Sequence, residues 1–180
     1  MKDPFQDQVV ALIPRLRAYA MSLSGSSAEA DDIVQDALMR AWRFRDGYQM
    51  GTNLRAWLYR IVRNAFYTHV SKRRDTVEDV DGRWAATLSC KPDQEWRMQY
   101  VDMLRALQRL SPDARDALLL VVSSGMSYQE AADICGCAVG TMKSRVNRAR
   151  ARLAQIIEIE AYAAAPARRS DPDEGRKLYA

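Results

Sequence analysis

Apolar side chains recur every three or four residues through nearly the whole chain, and nowhere at every second residue. Phe5, Val9, Leu12, Ile13, Leu16 and Tyr19 have this spacing. So do Ile33, Ala37, Leu38, Ala41 and Trp42, and then Leu54, Trp57, Leu58, Ile61, Val62, Ala65 and Phe66. A helix turns once per 3.6 residues, so each set is one apolar stripe. Trp96, Tyr100, Leu104, Leu107 and Leu110 mark a further helix. With no alternating run and no hairpin signal, the fold class expected is all-α.

Helix starts are marked independently. Ser26-Ser27-Ala28-Glu29 and Ser127-Tyr128-Gln129-Glu130 read as capping boxes. Thr52 or Asn53 can cap a third helix, and Ser111-Pro112-Asp113 opens another with a capping hydroxyl and a proline at the first position.

Charge divides the chain. Residues 47–74 hold Arg55, Arg60, Arg63, Lys72, Arg73 and Arg74 and no acid, and residues 134–157 hold Lys143, Arg145, Arg148, Arg150 and Arg152 and no acid. Between them, residues 75–95 carry Asp75, Glu78, Asp79, Asp81, Asp93 and Glu95 with Gly82 and Pro92. This stretch reads as an acidic linker, with Trp84 and Leu88 as a short packing segment. The organisation expected is two small helical domains, 5–75 and 96–160, joined by a linker at 76–95, with a disordered tail at 161–180.

Several classes are disfavoured. The longest purely apolar run, 117–122, is far short of the roughly 18 residues of a membrane span. Met1-Lys2-Asp3-Pro4-Phe5 has no apolar secretion core, so a cytoplasmic protein is expected. One histidine, His69, and three cysteines provide no metal set, and no nucleophile–base pair or phosphate loop is legible; neither a cofactor nor enzymatic activity is expected. Cys135 and Cys137 fall where packing wants small apolar groups.

Residues 128–152 have the pattern of a DNA-binding helix-turn-helix. Ala132 allows close helix approach, and Gly136, four residues on, can take the turn. The second helix buries Met142, Val146, Ala149 and Leu153, and presents Thr141, Lys143, Ser144, Arg145, Asn147 and Arg148. Such side chains read base edges in the major groove or hold phosphates. Upstream, Trp57, Tyr59, Phe66 and Tyr67 lie among Arg55, Arg60, Arg63 and the 72–74 cations. This mixture can stack unpaired bases and track a backbone, although Trp57 and Phe66 equally suit a core stripe. Asp32, Gln35 and Asp36 share one polar helix face that could dock a protein.

Together these residues resemble the extracytoplasmic-function sigma factors. Asp31-Asp32-Ile33-Val34-Gln35-Asp36-Ala37-Leu38 and Asn53-Leu54-Arg55-Ala56-Trp57-Leu58-Tyr59-Arg60 are similar to sigma region 2, and Val139-Gly140-Thr141-Met142-Lys143-Ser144-Arg145-Val146 to the region 4 recognition helix. The stretches at 51–58, 72–82 and 134–141 further resemble the EcfG-type general stress response factors of alphaproteobacteria.

The resemblance implies binding to core RNA polymerase at the β′ clamp and β flap, with Asp32, Gln35 and Asp36 on the clamp. It implies that Trp57, Arg60, Arg63, Asn64, Tyr67, Lys72, Arg73 and Arg74 meet the melted −10 element, with 67–74 as a loop around the unstacked strand. Thr141, Lys143, Ser144, Arg145, Asn147 and Arg148 would read a GGAAC-like −35 element. A NepR-type anti-sigma factor, released by a PhyR-type response regulator, is implied as the control. The competing expectations are a helix-turn-helix regulator acting without core polymerase and a sigma-like decoy for an anti-sigma factor.

Overall fold

The computed structural model describes residues 3–49, 51–76 and 94–164. The linker's Trp84 and Leu88 and the tail from residue 165 lie outside the described residues, as do the side chains of Arg73, Arg74 and Trp96.

Among the described residues the chain is helical, with no strand. Its elements are α1 (Pro4–Ser24), α2 (Ser27–Arg43), a single 3₁₀ turn at Arg45–Gly47, α3 (Leu54–Thr76), α4 (Gln94–Gln108), α5 (Pro112–Leu118), α6 (Tyr128–Cys135) and α7 (Val139–Ala164). Helix therefore takes both ends of the stretch read as linker, and α7 runs into the stretch read as tail. Residues 67–74, expected as a loop, continue α3 instead. Nothing in that segment breaks a helix: it has no glycine or proline, and Val70 packs against the core.

The caps explain the boundaries. Asp3 accepts the Phe5 amide at 3.0 Å, ahead of Pro4. The Ser26 hydroxyl accepts the Glu29 amide, and Asn53, not Thr52, caps α3 by accepting the Ala56 amide at 3.1 Å. Ser127 and Glu130 form a complete capping box on α6. Ser111 departs from expectation. Its carbonyl accepts the Arg115 amide, but its hydroxyl makes no cap.

α1–α3 form one bundle around Leu16, Leu23, Ile33, Leu58 and Val62, and α4–α7 form a second around Leu104, Leu120, Met142 and Val146. Burying each such side chain stabilises the fold by about 1.5–3 kcal/mol. α3 lies on α6, and α1 on α4 and α5, so the two cores are continuous. After α5 the chain makes one π-helical turn, Leu119–Ser123, closed by the Ser124 amide on the Leu119 carbonyl at 2.8 Å.

Two readings of the stripes change. Trp42 is 48% exposed rather than inward, with Phe5 beside its ring and the Arg45 guanidinium 5.0 Å from its centroid. Tyr100 is also exposed. Each sits at the edge of its stripe, where the described residues cover it only in part.

Candidate nucleic-acid and polymerase interface

The helix-turn-helix forms as its spacing predicts. Gly136 ends α6 at φ +65°, and the Cys137 amide reaches the Ala132 carbonyl at 3.0 Å. A residue with a Cβ is strained there, which is why glycine holds the turn. Met142, Val146 and Ala149 are fully buried and Leu153 is partly so. The opposite face of α7 exposes Thr141, Lys143, Ser144, Asn147 and Arg148. Arg145 is less open, its Nη2 lying 3.4 Å from an Asp113 carboxylate oxygen. Lys143 Nζ lies 6.0 Å from the Tyr128 ring. Arg145, Arg148, Arg152 and Arg109 line a cleft of about 490 Å³ with Asp113. Cys135 and Cys137 are free and half-buried against the core.

On α2, Asp32 and Gln35 are exposed and Asp36 is half-exposed, its carboxylate 2.8 Å from Arg40 one turn on. Their neighbour Asp31 faces α1, where Arg17 Nε donates to it at 2.6 Å. That pairing holds the Asp31 carboxyl below its ordinary range. Past the three polar residues, α2 exposes Met39 and Trp42, followed by Phe44.

α3 is different: three of the residues assigned to melted DNA, Arg60, Arg63 and Tyr67, are engaged by the second bundle. Arg63 Nε donates to Asp116 Oδ2 at 2.5 Å, and its guanidinium lies over the Tyr67 ring at 4.7 Å. The Tyr67 hydroxyl makes a long contact of 3.5 Å to Asp113, and Arg60 Nη2 donates to the Asp133 carbonyl at 2.9 Å. Trp57 belongs to an aromatic cluster with Tyr48 and Phe5, at ring separations of 5.3 and 6.3 Å. Asn64 and Lys72 are exposed. α3 carries Arg73 and Arg74 in its last turns.

Sequence reasoning missed the centre of this contact. Asp116 is fully buried and accepts from Arg63, from the Tyr19 hydroxyl at 2.5 Å, and from Cys135 Sγ at 3.6 Å. Burial, with this carboxylate beside it, raises Tyr19 well above the ordinary phenol value and the Cys135 thiol to about 12. Both therefore remain protonated donors. Next to Asp116, buried Arg115 donates to the carbonyls of Leu107, Gln108, Leu110 and Leu23. One sequence signal was available: Arg115 and Asp116 directly precede the apolar run 117–122, where a charged pair must find partners.

Sigma-70 region 2 matches residues 9–76, and Sigma-70, region 4 matches residues 100–153. The chain is 48% identical over 160 residues to the ECF RNA polymerase sigma factor EcfG of Rhodopseudomonas palustris (strain TIE-1), covering 89% of this chain and 88% of that one. The chain belongs to the extracytoplasmic-function RNA polymerase sigma factors. This sigma factor thus carries the two regions that the family uses to bind core polymerase and recognise promoters. Its backbone is similar to that of the sigma factor RpoE solved in complex with the anti-sigma factor NepR from Bartonella quintana. That match has a TM-score of 0.75 at 45% identity, over 87% of this chain and 98% of that one. The PhyRSL–NepR complex from Sphingomonas sp. Fr1 contains a chain of the same fold, with a TM-score of 0.62 at 21% identity over 85% and 88% of the two chains. Among the described residues, no helix of the sigma factor is long and apolar enough to cross a membrane.

Proposed function

We propose that the chain is a cytoplasmic promoter-specificity subunit that serves general stress transcription and does no covalent chemistry of its own. Region 2, about residues 5–75, docks on the polymerase β′ clamp through Asp32, Gln35 and Asp36, and captures melted −10 bases along α3 with Trp57, Arg60, Arg63, Asn64, Tyr67, Lys72, Arg73 and Arg74. Region 4, about residues 96–160, docks on the β flap and reads a GGAAC-like −35 element with Thr141, Lys143, Ser144, Arg145, Asn147 and Arg148. Two short modules on one chain gain from bivalent engagement, which strengthens binding without new contacts. A NepR-type anti-sigma factor restrains the chain, and a PhyR-type regulator with a sigma-like domain relieves the restraint. Similarity to the NepR-bound RpoE over most of both chains supports that partner.

The observation that carries the reading is α7 itself. It is a recognition-type helix with Met142, Val146 and Ala149 of its apolar stripe fully buried and Lys143, Ser144, Asn147 and Arg148 presented outward behind a glycine turn. The test is run-off transcription with purified core polymerase on a template bearing a GGAAC-type −35 element. Reactions lacking the protein, or with the element scrambled, should give no transcript. Transcription only from other elements would reject the EcfG-type specificity. Duplex binding with neither core binding nor transcript would favour a regulator that acts without polymerase.

A further inference from the structure

The α3 face turned toward region 4 carries Asn53, Arg60, Arg63 and Tyr67, at spacings that place all four in one stripe. Every one of these side chains donates, and every acceptor belongs to region 4. Asn53 Nδ2 meets Glu130 Oε1 at 2.5 Å, Arg60 meets the Asp133 carbonyl, Arg63 meets Asp116, and Tyr67 points to Asp113. The acceptors come in pairs three residues apart, Asp113 with Asp116 on α5 and Glu130 with Asp133 on α6. Asp113 also faces Arg145, so one carboxylate engages a candidate −10 residue and a candidate −35 residue at once.

A row of anionic and carbonyl oxygens along a cationic helix face offers what a nucleic-acid backbone offers: acceptors for charge-assisted hydrogen bonds. The Arg63 side chain is only 16% exposed in this arrangement. A strand cannot reach it until α3 and α5 separate. We infer that the oxygen row of region 4 (Asp113, Asp116, Glu130 and the Asp133 carbonyl) is a built-in competitor of the −10 strand. The chain with its two regions in contact is thereby closed to melted DNA, and it opens by exchanging these acceptors for phosphates. This inference rests on the assignment of α3 to the −10 element.

The test uses the full chain and the fluorescently labelled non-template −10 strand of the promoter that gives the run-off transcript, with affinity read by anisotropy. Asp113→Asn with Glu130→Gln removes the exposed and the half-exposed carboxylate of the row and leaves buried Asp116 in place; glutamine still serves the α6 capping box. Two exposed contacts of this kind predict binding about 2- to 30-fold tighter than wild type, together with a larger radius of gyration by small-angle scattering. Asp7→Asn with Asp46→Asn makes the same change in net charge on exposed positions outside the oxygen row, and is expected to gain little. Equal gains in the two pairs, or no gain in the first, would overturn the inference. A transcript that survives Arg60→Ala and Arg63→Ala with full −10 dependence would instead remove the −10 assignment of α3.

Discussion

Replacing Arg115 by methionine isolates one polar tie between the two bundles. The side chain is 7% exposed. Its Nε donates to the Leu107 carbonyl at 2.9 Å, Nη2 to Gln108 at 3.0 Å and Leu110 at 3.3 Å, and Nη1 to Leu23. Those carbonyls lie at or just beyond the C-terminal ends of α1 and α4, where the last carbonyls lack helical partners and the dipole is negative. One cation thus caps two helices from different regions. Burial pushes the guanidinium down from its ordinary value, so the capping has to outweigh a desolvation cost.

Methionine keeps much of the volume and leaves four acceptors without this donor. A hydrogen bond to a charged group is worth about 1.5–3 kcal/mol net. Water can reach the acceptors nearest the rim, and the desolvation cost is regained, so the expected loss is that of one or two bonds, about 3 kcal/mol. For a chain of this size that lowers Tm by about 6–12 °C. Urea unfolding followed by circular dichroism measures the loss directly. Arg115→Lys retains the charge without the planar fork and should recover only part of it. A methionine variant within about 1 kcal/mol of wild type, or a lysine variant equal to wild type, would refute the double-cap account.

Gly136→Ala meets no atom within 4 Å, so its cost is the left-handed backbone alone. That is about 1–2 kcal/mol in urea unfolding. Arg148→Ala should weaken −35-dependent transcription by about 5- to 150-fold (the 1–3 kcal/mol of a good base contact) while sparing core binding. Asp32→Ala with Gln35→Ala should do the reverse in a core-binding assay, and equal loss of both activities in the two variants would reject the division of labour. Stability should also fall on the alkaline side. The folded Cys135 thiol titrates at about 12 against about 8.5 in an unfolded chain. The native state therefore keeps a proton that the unfolded state has lost, and stability that is complete below the lower value declines as pH rises toward the upper one. Raised Tyr19 and Tyr67 add the same sign above about pH 10. Urea unfolding from pH 7.5 to 10 checks this, and Cys135→Ala should flatten the first part of the decline.

Local rules carried much of the reading. Each apolar stripe lies on a single helix, so its period is written in contiguous residues. Met142, Val146 and Ala149 went to the core as their spacing required. Caps are equally local: Ser127 with Glu130, Asn53 and Gly136 sit at the ends they mark. The outward display of Lys143, Ser144, Asn147 and Arg148 then follows from which side of α7 is buried.

Tertiary contact settled what local pattern leaves open. Trp42 continues the α2 stripe in sequence, yet stays half exposed because the described residues cover that edge only in part. A run of helix-compatible residues at 67–74 does not announce whether it stops; Tyr67 and Val70 pack against the core, and α3 runs on to Thr76. Tyr19, Arg63 and Asp116 are 97 and 53 residues apart in the pairs that meet, and nothing in either segment alone names its partner. A basic helix can face solvent, DNA or acids on another helix with the same local pattern. Burial of Asp116, and the cost of leaving a buried carboxylate unpaired, selects the third for Arg63 in this closed arrangement.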